Sequence, residues 1–241
     1  MLGICGAQGS GKSTLADALA AALQRRGVAV ATLSLDDLYK TKAERLDMAA
    51  AIHPLFATRG VPGTHDVDLG VTTLDALARG EAAALPRFDK ARDDRHPPET
   101  WPLAPAATQV LILEGWCVGA RPQDEAALVA PANTLEAEED RDATWRRFVN
   151  AALADDYPRL FDRIDLLVLL AAPGFDIVHR WRTQQEHALR AHGGGGMADA
   201  EIERFIRHYE RLTRHILSTM PAYADIVVTL DEERRPRSIR A

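Results

Sequence analysis

The sequence predicts an α/β fold in which a five-stranded parallel sheet carries helices on both faces and a small lid. Three observations predict it. Short, continuously apolar runs alternate with longer amphipathic stretches along 241 residues, the pattern of a parallel sheet buried on both sides. A glycine-rich loop joins the first apolar run to the first amphipathic one. The length suits one large α/β unit with a sizeable core. No internal repeat is present. The irregular stretches, a Pro-rich segment over 86–105 and "GGGG" at 193–196, do not divide the strand pattern, so a single domain over 1–241 is expected.

The elements follow in order. "LGICGAQGSGKSTLADALAAALQRR" opens on a short apolar strand and ends in an amphipathic helix with Leu15, Leu19, Ala22 and Leu23 on one face. Gly27 closes that helix, and residues 28–35 read as a second strand. "QVLILEGW" (109–116) is a third, too continuously apolar to be half exposed. "DLLVLLAAP" (165–173) and "DIVVTLD" (225–231) supply two more. Helical patterns over 142–154, 175–190 and 199–218 separate them.

Composition narrows the function classes. Hydrophobic residues make up 46% and charged residues 27%, as in ordinary globular proteins. A net charge of −6 argues against nucleic acid or an anionic membrane as partner. No apolar stretch is long enough to span a bilayer, and no signal-peptide pattern is present. Two cysteines, Cys5 and Cys117, make neither a disulfide framework nor a metal cluster. A reduced, cytoplasmic setting is expected.

The strongest motif lies between the first strand and helix: Gly6-Ala7-Gln8-Gly9-Ser10-Gly11-Lys12-Ser13-Thr14, the phosphate-binding loop of the P-loop NTPase fold. Its glycines let backbone N–H groups converge on phosphate oxygens, and the helix N-terminus adds partial positive charge. Lys12 reaches the β- and γ-phosphates, and the Ser13 hydroxyl suits Mg²⁺. A dinucleotide fingerprint is absent. The expected ligands are therefore ATP and Mg²⁺.

Ligands of such sheets bind beyond the carboxyl ends of the strands, which gathers Asp36, Asp37, Glu114 and the phosphate loop around one crevice. A ribose clamp at Asp36 belongs to a dinucleotide fold and does not apply. The aspartate pair can form a turn, accept a hydroxyl proton, or hold a metal water. Glu114 is the acidic candidate on the Mg²⁺ side, with a loop or helix-start carboxylate as its alternative.

The set "GAQGSGKST", "LSLDDLY", "RGVPGTHD", "LPRFDKARDDR", "ILEGWCVG", "HRWRTQQEHALR" and "LDEERRP" resembles the D-glycerate 3-kinase family, related to phosphoribulokinase, uridine kinase and bacterial pantothenate kinase. The resemblance runs nearly the whole chain. It implies Asp36 as catalytic base, with Asp37 as neighbour or cap, and Asp36 also as a candidate metal ligand beside Ser13 and Glu114. It implies an acceptor segment at about 53–100 holding Arg59, His65, Asp66, Arg87 and Lys90, with Arg95 a further cation. It implies a lid at about 180–200 whose Arg180 and Arg182 reach the transferring phosphate. Members often carry a helical extension before the first strand. Here Met1 sits directly on that strand, which implies a trimmed sheet edge or a longer native N-terminus.

The expected function is transfer of the γ-phosphate of ATP to a hydroxyl of a small anionic metabolite, D-glycerate first. The alternatives are a nucleoside or pantothenate kinase, or a non-catalytic ATP-binding regulatory protein. Expected partners are ATP and a small-molecule acceptor, with no nucleic acid or membrane, in a monomer or homodimer.

Overall fold

Leu2–Gly6 (β1), Val30–Ser34 (β2), Val110–Gly115 (β3), Leu166–Ala171 (β4), Ile226–Leu230 (β5) and Pro236–Arg240 (β6) form one sheet in the order β6-β5-β4-β1-β3-β2. The computed structural model describes residues 1–191 and 199–241. Five of these strands are parallel, as expected. The sixth, β6, pairs antiparallel with β5, so the described sheet has six strands rather than five. No strand pattern continues past Asp231 in the sequence, because "PRSIR" is exposed throughout and carries no apolar run. A strand paired on only one side needs none, and charged residues suit such an edge.

The central strands are apolar without a break because both faces are covered. Ile4, Ile112 and Val168 turn to a cluster with Ala16, against which Leu15 and Leu19 pack. Their neighbours Cys5, Leu111, Leu113, Leu167 and Leu169 turn to the opposite, larger cluster. Successive side chains of a strand point to opposite faces, so each run serves two cores.

Helix α1 (Lys12–Gln24) covers the first face. Helices α2 (Lys42–Ala51), α3 (Val67–Ala78), α4 (Thr134–Glu139), α5 (Thr144–Asp155) and α6 (Pro158–Phe161) occupy the stretches between β2 and β4. Then come α7 (Phe175–Ala191) and α8 (Asp199–Thr219). Three helices were expected near the positions of α5, α7 and α8; α2 and α3 were not. Thr41 and Glu44 form a reciprocal capping box at α2, and that T-x-x-E spacing was the available signal. The glycine run at 193–196 lies outside the described residues. Among those residues no helix is long and apolar enough to cross a membrane.

Register positions the site. Ser34 of β2 pairs with Glu114 of β3, and Cys5 of β1 pairs with Gly115. The carboxyl ends of β2, β3 and β1 therefore finish side by side, with residues 35–39, Glu114 and the loop after Gly6 at one edge.

Candidate active site

The phosphate loop is built as its spacing requires. Gly9 and Gly11 adopt φ of 77° and 88°, values that L side chains rarely take. Gly11 stands at the N-cap of α1, and no side chain caps that end. The N–H groups of the first turn thus have no side-chain acceptor and are available to an anion.

A cleft of about 180 Å³ opens from this loop and is lined by Gly9, Lys12, Ser13, Asp36, Tyr39, Arg59, Lys90, Glu114, Trp116, Arg182 and Tyr209, among others. The Ser13 hydroxyl donates to Glu114 Oε1 at 3.0 Å. Glu114 is only 6% exposed, and its Oε2 is buried without a hydrogen-bond partner. An orphaned buried carboxylate oxygen is costly unless something else satisfies it. Hydroxyl and carboxylate oxygens are the hard donors Mg²⁺ takes, so Ser13 and Glu114 fit that ion.

Asp36 faces the same cleft. Tyr39 donates to its Oδ1 at 2.8 Å, and the Lys90 ammonium lies 2.6 Å from Oδ2. Burial alone would push the Asp36 carboxyl up. Lys90 and Lys12, with hydrogen bonds from Lys90 and Tyr39, hold it well below the usual carboxylate range. Burial and then the Asp36 charge push the Tyr39 phenol well above its ordinary value, which keeps it a donor. The Asp36 oxygens are held by Tyr39 and Lys90, while Ser13 and Glu114 hold each other.

Asp37 points elsewhere. Its Oδ1 accepts from the Phe88 N–H at 3.0 Å and its Oδ2 from Arg87 at 3.4 Å. Burial pushes its carboxyl up, against the pull of those two partners. Asp37 thereby ties residues 87–88 to the end of β2, and Arg87 is engaged in that tie rather than lining the cleft.

The structure divides the other acceptor-side candidates. Arg59 lines the cleft with Lys90, ion-pairs Asp93 and lies over the Phe88 ring at 5.6 Å. His65 is 2% exposed, stacked on Tyr39 at 4.6 Å and hydrogen-bonded to Tyr157. Burial pushes its pKa down to about 3, so the imidazole is neutral and props the Tyr39 ring. Asp66 caps α3 by accepting from the Leu69 N–H at 2.9 Å, and its other oxygen pairs with Arg95 at 3.0 Å. His65, Asp66, Arg87 and Arg95 thus support the wall; Arg59 and Lys90 face the cavity.

The two arginines expected on a lid lie on α7 and also part. Arg182 lines the cleft, pairs with Glu186 and stands over Phe205 at 5.3 Å. Its Nε is buried without a partner. Arg180 turns outward to Glu232 at 2.8 Å.

Several residues at or beside the cleft were not among the expected site residues. Phe205 and Tyr209 enter the cleft from α8, where aromatics four apart read as core. Trp116 donates to the Gly60 carbonyl at 2.9 Å, and Tyr209 to the Arg59 carbonyl at 3.0 Å. Arg234, within "LDEERRP", donates from Nε to the Gly9 carbonyl at 2.6 Å. The chain separations, 56, 150 and 225 residues, show why no local pattern announced these contacts. Buried Arg45 on α2 reaches the carbonyls of Lys40, Ala57 and Asp93 and fixes this wall of the cleft from behind.

Comparison with known proteins adds independent findings. Residues 1–120 match the phosphoribulokinase / uridine kinase family. The chain is 40% identical to the uncharacterized kinase mug58 of Schizosaccharomyces pombe, over 98% of this chain and 89% of that protein. It is 31% identical, over 98% of its length, to the chloroplastic D-glycerate 3-kinase of Arabidopsis thaliana, of which it spans 53%. The structure of D-glycerate 3-kinase from Cryptococcus neoformans matches with a TM-score of 0.80 at 26% identity, covering 99% of this chain and 88% of that one.

Proposed function

The chain belongs to the phosphoribulokinase / uridine kinase family and is an ATP-dependent phosphotransferase, and from that premise we propose that it phosphorylates a hydroxyl of a small anionic metabolite, D-glycerate first. The observation that carries this reading is the charge of the cleft. Lys12, Arg59, Lys90 and Arg182 line it with Asp36 and Glu114, so a protein of net charge −6 gathers four cations at one place, three of them held by carboxylate partners. Triphosphate accounts for Lys12 at the loop. Arg59 and Lys90 stand on the acceptor wall, paired with Asp93 and Asp36, and an anionic acceptor can draw on both cations where a neutral one cannot.

The residues divide the work. Backbone N–H groups of Gly9 to Ser13 and the Lys12 ammonium hold the phosphates. Ser13 and Glu114 would hold Mg²⁺, which when bound offsets charge on the phosphate oxygens. Asp36, oriented by Tyr39, takes the acceptor hydroxyl's proton. Arg182 reaches the transferring group from α7, where its charge counts most in the transition state. A reducing cytoplasmic setting goes with this reading, since Cys5 and Cys117 are buried free thiols.

A coupled ADP-release screen over D-glycerate, nucleosides, pantothenate and neutral sugars tests it. D-glycerate is expected to give the highest kcat/KM. A nucleoside or neutral sugar outrunning every anionic acceptor would overturn the reading.

A further inference from the structure

Both oxygens of Asp36 are engaged before any acceptor arrives: Oδ1 by the Tyr39 hydroxyl and Oδ2 by the Lys90 ammonium. A hydroxyl that is to give its proton to Asp36 must compete with these donors, since each hydrogen bond and the Lys90 charge make the carboxylate a weaker proton acceptor. They differ greatly in freedom. The Tyr39 ring is 3% exposed, stacked on His65 and set edge-on to Phe88 at 5.2 Å. The Lys90 side chain is 60% exposed and ends a flexible four-carbon stem. Its backbone is steadied separately, through its carbonyl, by Arg59. Lys90 is the donor that can move.

An anion is what would move it. An ammonium drawn from one carboxylate to another keeps an ion pair throughout, whereas withdrawal toward a neutral ligand leaves Asp36 without its counter-charge in a half-buried site. Arg59, beside Lys90 on the same wall, offers such an anion its second cation.

We propose that Lys90 is the specificity-determining residue of the acceptor site: it caps Asp36 in the acceptor-free protein, and an acceptor bearing an anionic group near its hydroxyl takes Lys90 over and uncovers Asp36. This rests on the kinase reading, with Asp36 as base. In the step so enabled, the hydroxyl oxygen forms a bond to the γ-phosphorus and the bond from that phosphorus to the β,γ-bridging oxygen breaks. ADP leaves with that electron pair, and the hydroxyl proton goes to Asp36. A neutral alcohol or water leaves Lys90 in place and meets a base weakened by its counter-charge. The cap therefore restrains wasteful hydrolysis of ATP as well as selecting the acceptor.

The test compares wild type, Lys90→Met and Lys90→Arg with Mg·ATP alone, with D-glycerate, and with its neutral carboxamide, D-glyceramide. Lys90 is exposed, so the fold is not at stake. In Lys90→Met, acceptor-free ATP hydrolysis should rise by roughly tenfold, because water gains the base. The preference for glycerate over the amide should shrink by about the same factor, partly through a higher kcat on the amide. Lys90→Arg should keep acceptor-free hydrolysis low. Unchanged acceptor-free hydrolysis in Lys90→Met, with KM alone raised for glycerate, would overturn the cap and leave an ordinary binding lysine. If wild type phosphorylates neither acceptor, the glycerate reading fails, and acceptor-free hydrolysis still decides the cap.

Discussion

Asp36 and Asp37 are the same residue type at adjacent positions, and what meets their oxygens gives them different work. Asp36 looks into the cleft, between Tyr39 and Lys90. Asp37 looks back, to the Phe88 N–H and Arg87. Asp36→Asn keeps the shape and removes the proton acceptor, so kcat should fall by roughly two to four orders of magnitude while ATP affinity, measured by calorimetry, changes little. Asp37→Asn leaves the base in place and weakens the tie to residues 87–88. Its cost should appear in acceptor KM and in denaturant midpoint, with a hydrogen-bond-sized loss of about 1–3 kcal/mol. The reverse ranking in kcat would transfer the base to Asp37.

At the scale of one element, α7 carries two arginines two positions apart, and a helix turns side chains about 100° per residue, so they cannot share a direction. Arg182 enters the cleft and Arg180 reaches Glu232. Arg182→Ala should lower kcat by about 10²–10³, the usual loss for one transition-state donor, with a smaller effect on ATP binding. Arg180→Ala exposes only the loss of a solvent-screened pair, worth under about 1 kcal/mol, and should keep most of the turnover. Equal losses from the two, measured by steady-state kinetics, would show that α7 rotates when the site closes.

Across the whole molecule the cleft depends on three distant segments meeting at Gly60. Trp116, just after β3, donates to the Gly60 carbonyl, and Tyr209 of α8 donates to Arg59 next to it. Gly60 has φ of 135°, and a Cβ there would come 1.9 Å from the Tyr209 hydroxyl oxygen. Gly60→Ala should cost about 1–3 kcal/mol in backbone strain alone, with more from displacing Tyr209. Thermal unfolding should show a lowered Tm, and kinetics a raised acceptor KM, since Arg59 moves with this joint. A Tm within a degree of wild type would mean that the joint is loose.

Much of this was legible in the chain because its causes are local. The phosphate loop needs nine consecutive residues and a helix behind them, and it stands where the spacing put it. The five parallel strands announced themselves because burial on both faces demands unbroken apolar runs, while β6, paired on one side and exposed, left no such trace. Asp36 and Glu114 could be placed near the loop because strand order brings carboxyl ends together. Which of two aspartates faces the cleft came from the family resemblance and not from the local pattern, since both occupy one short turn and only packing against Phe88 and Arg87 separates them. His65 and Asp66 share a motif with Arg59, yet they brace Tyr39 and cap α3, because a motif records proximity in the chain and not direction in space. The contacts of Tyr209 with Arg59 and of Arg234 with Gly9 were decided by tertiary structure alone: the partners lie far along the chain, and side-chain contacts over such separations are fixed by how helices settle on the sheet, which no local pattern encodes.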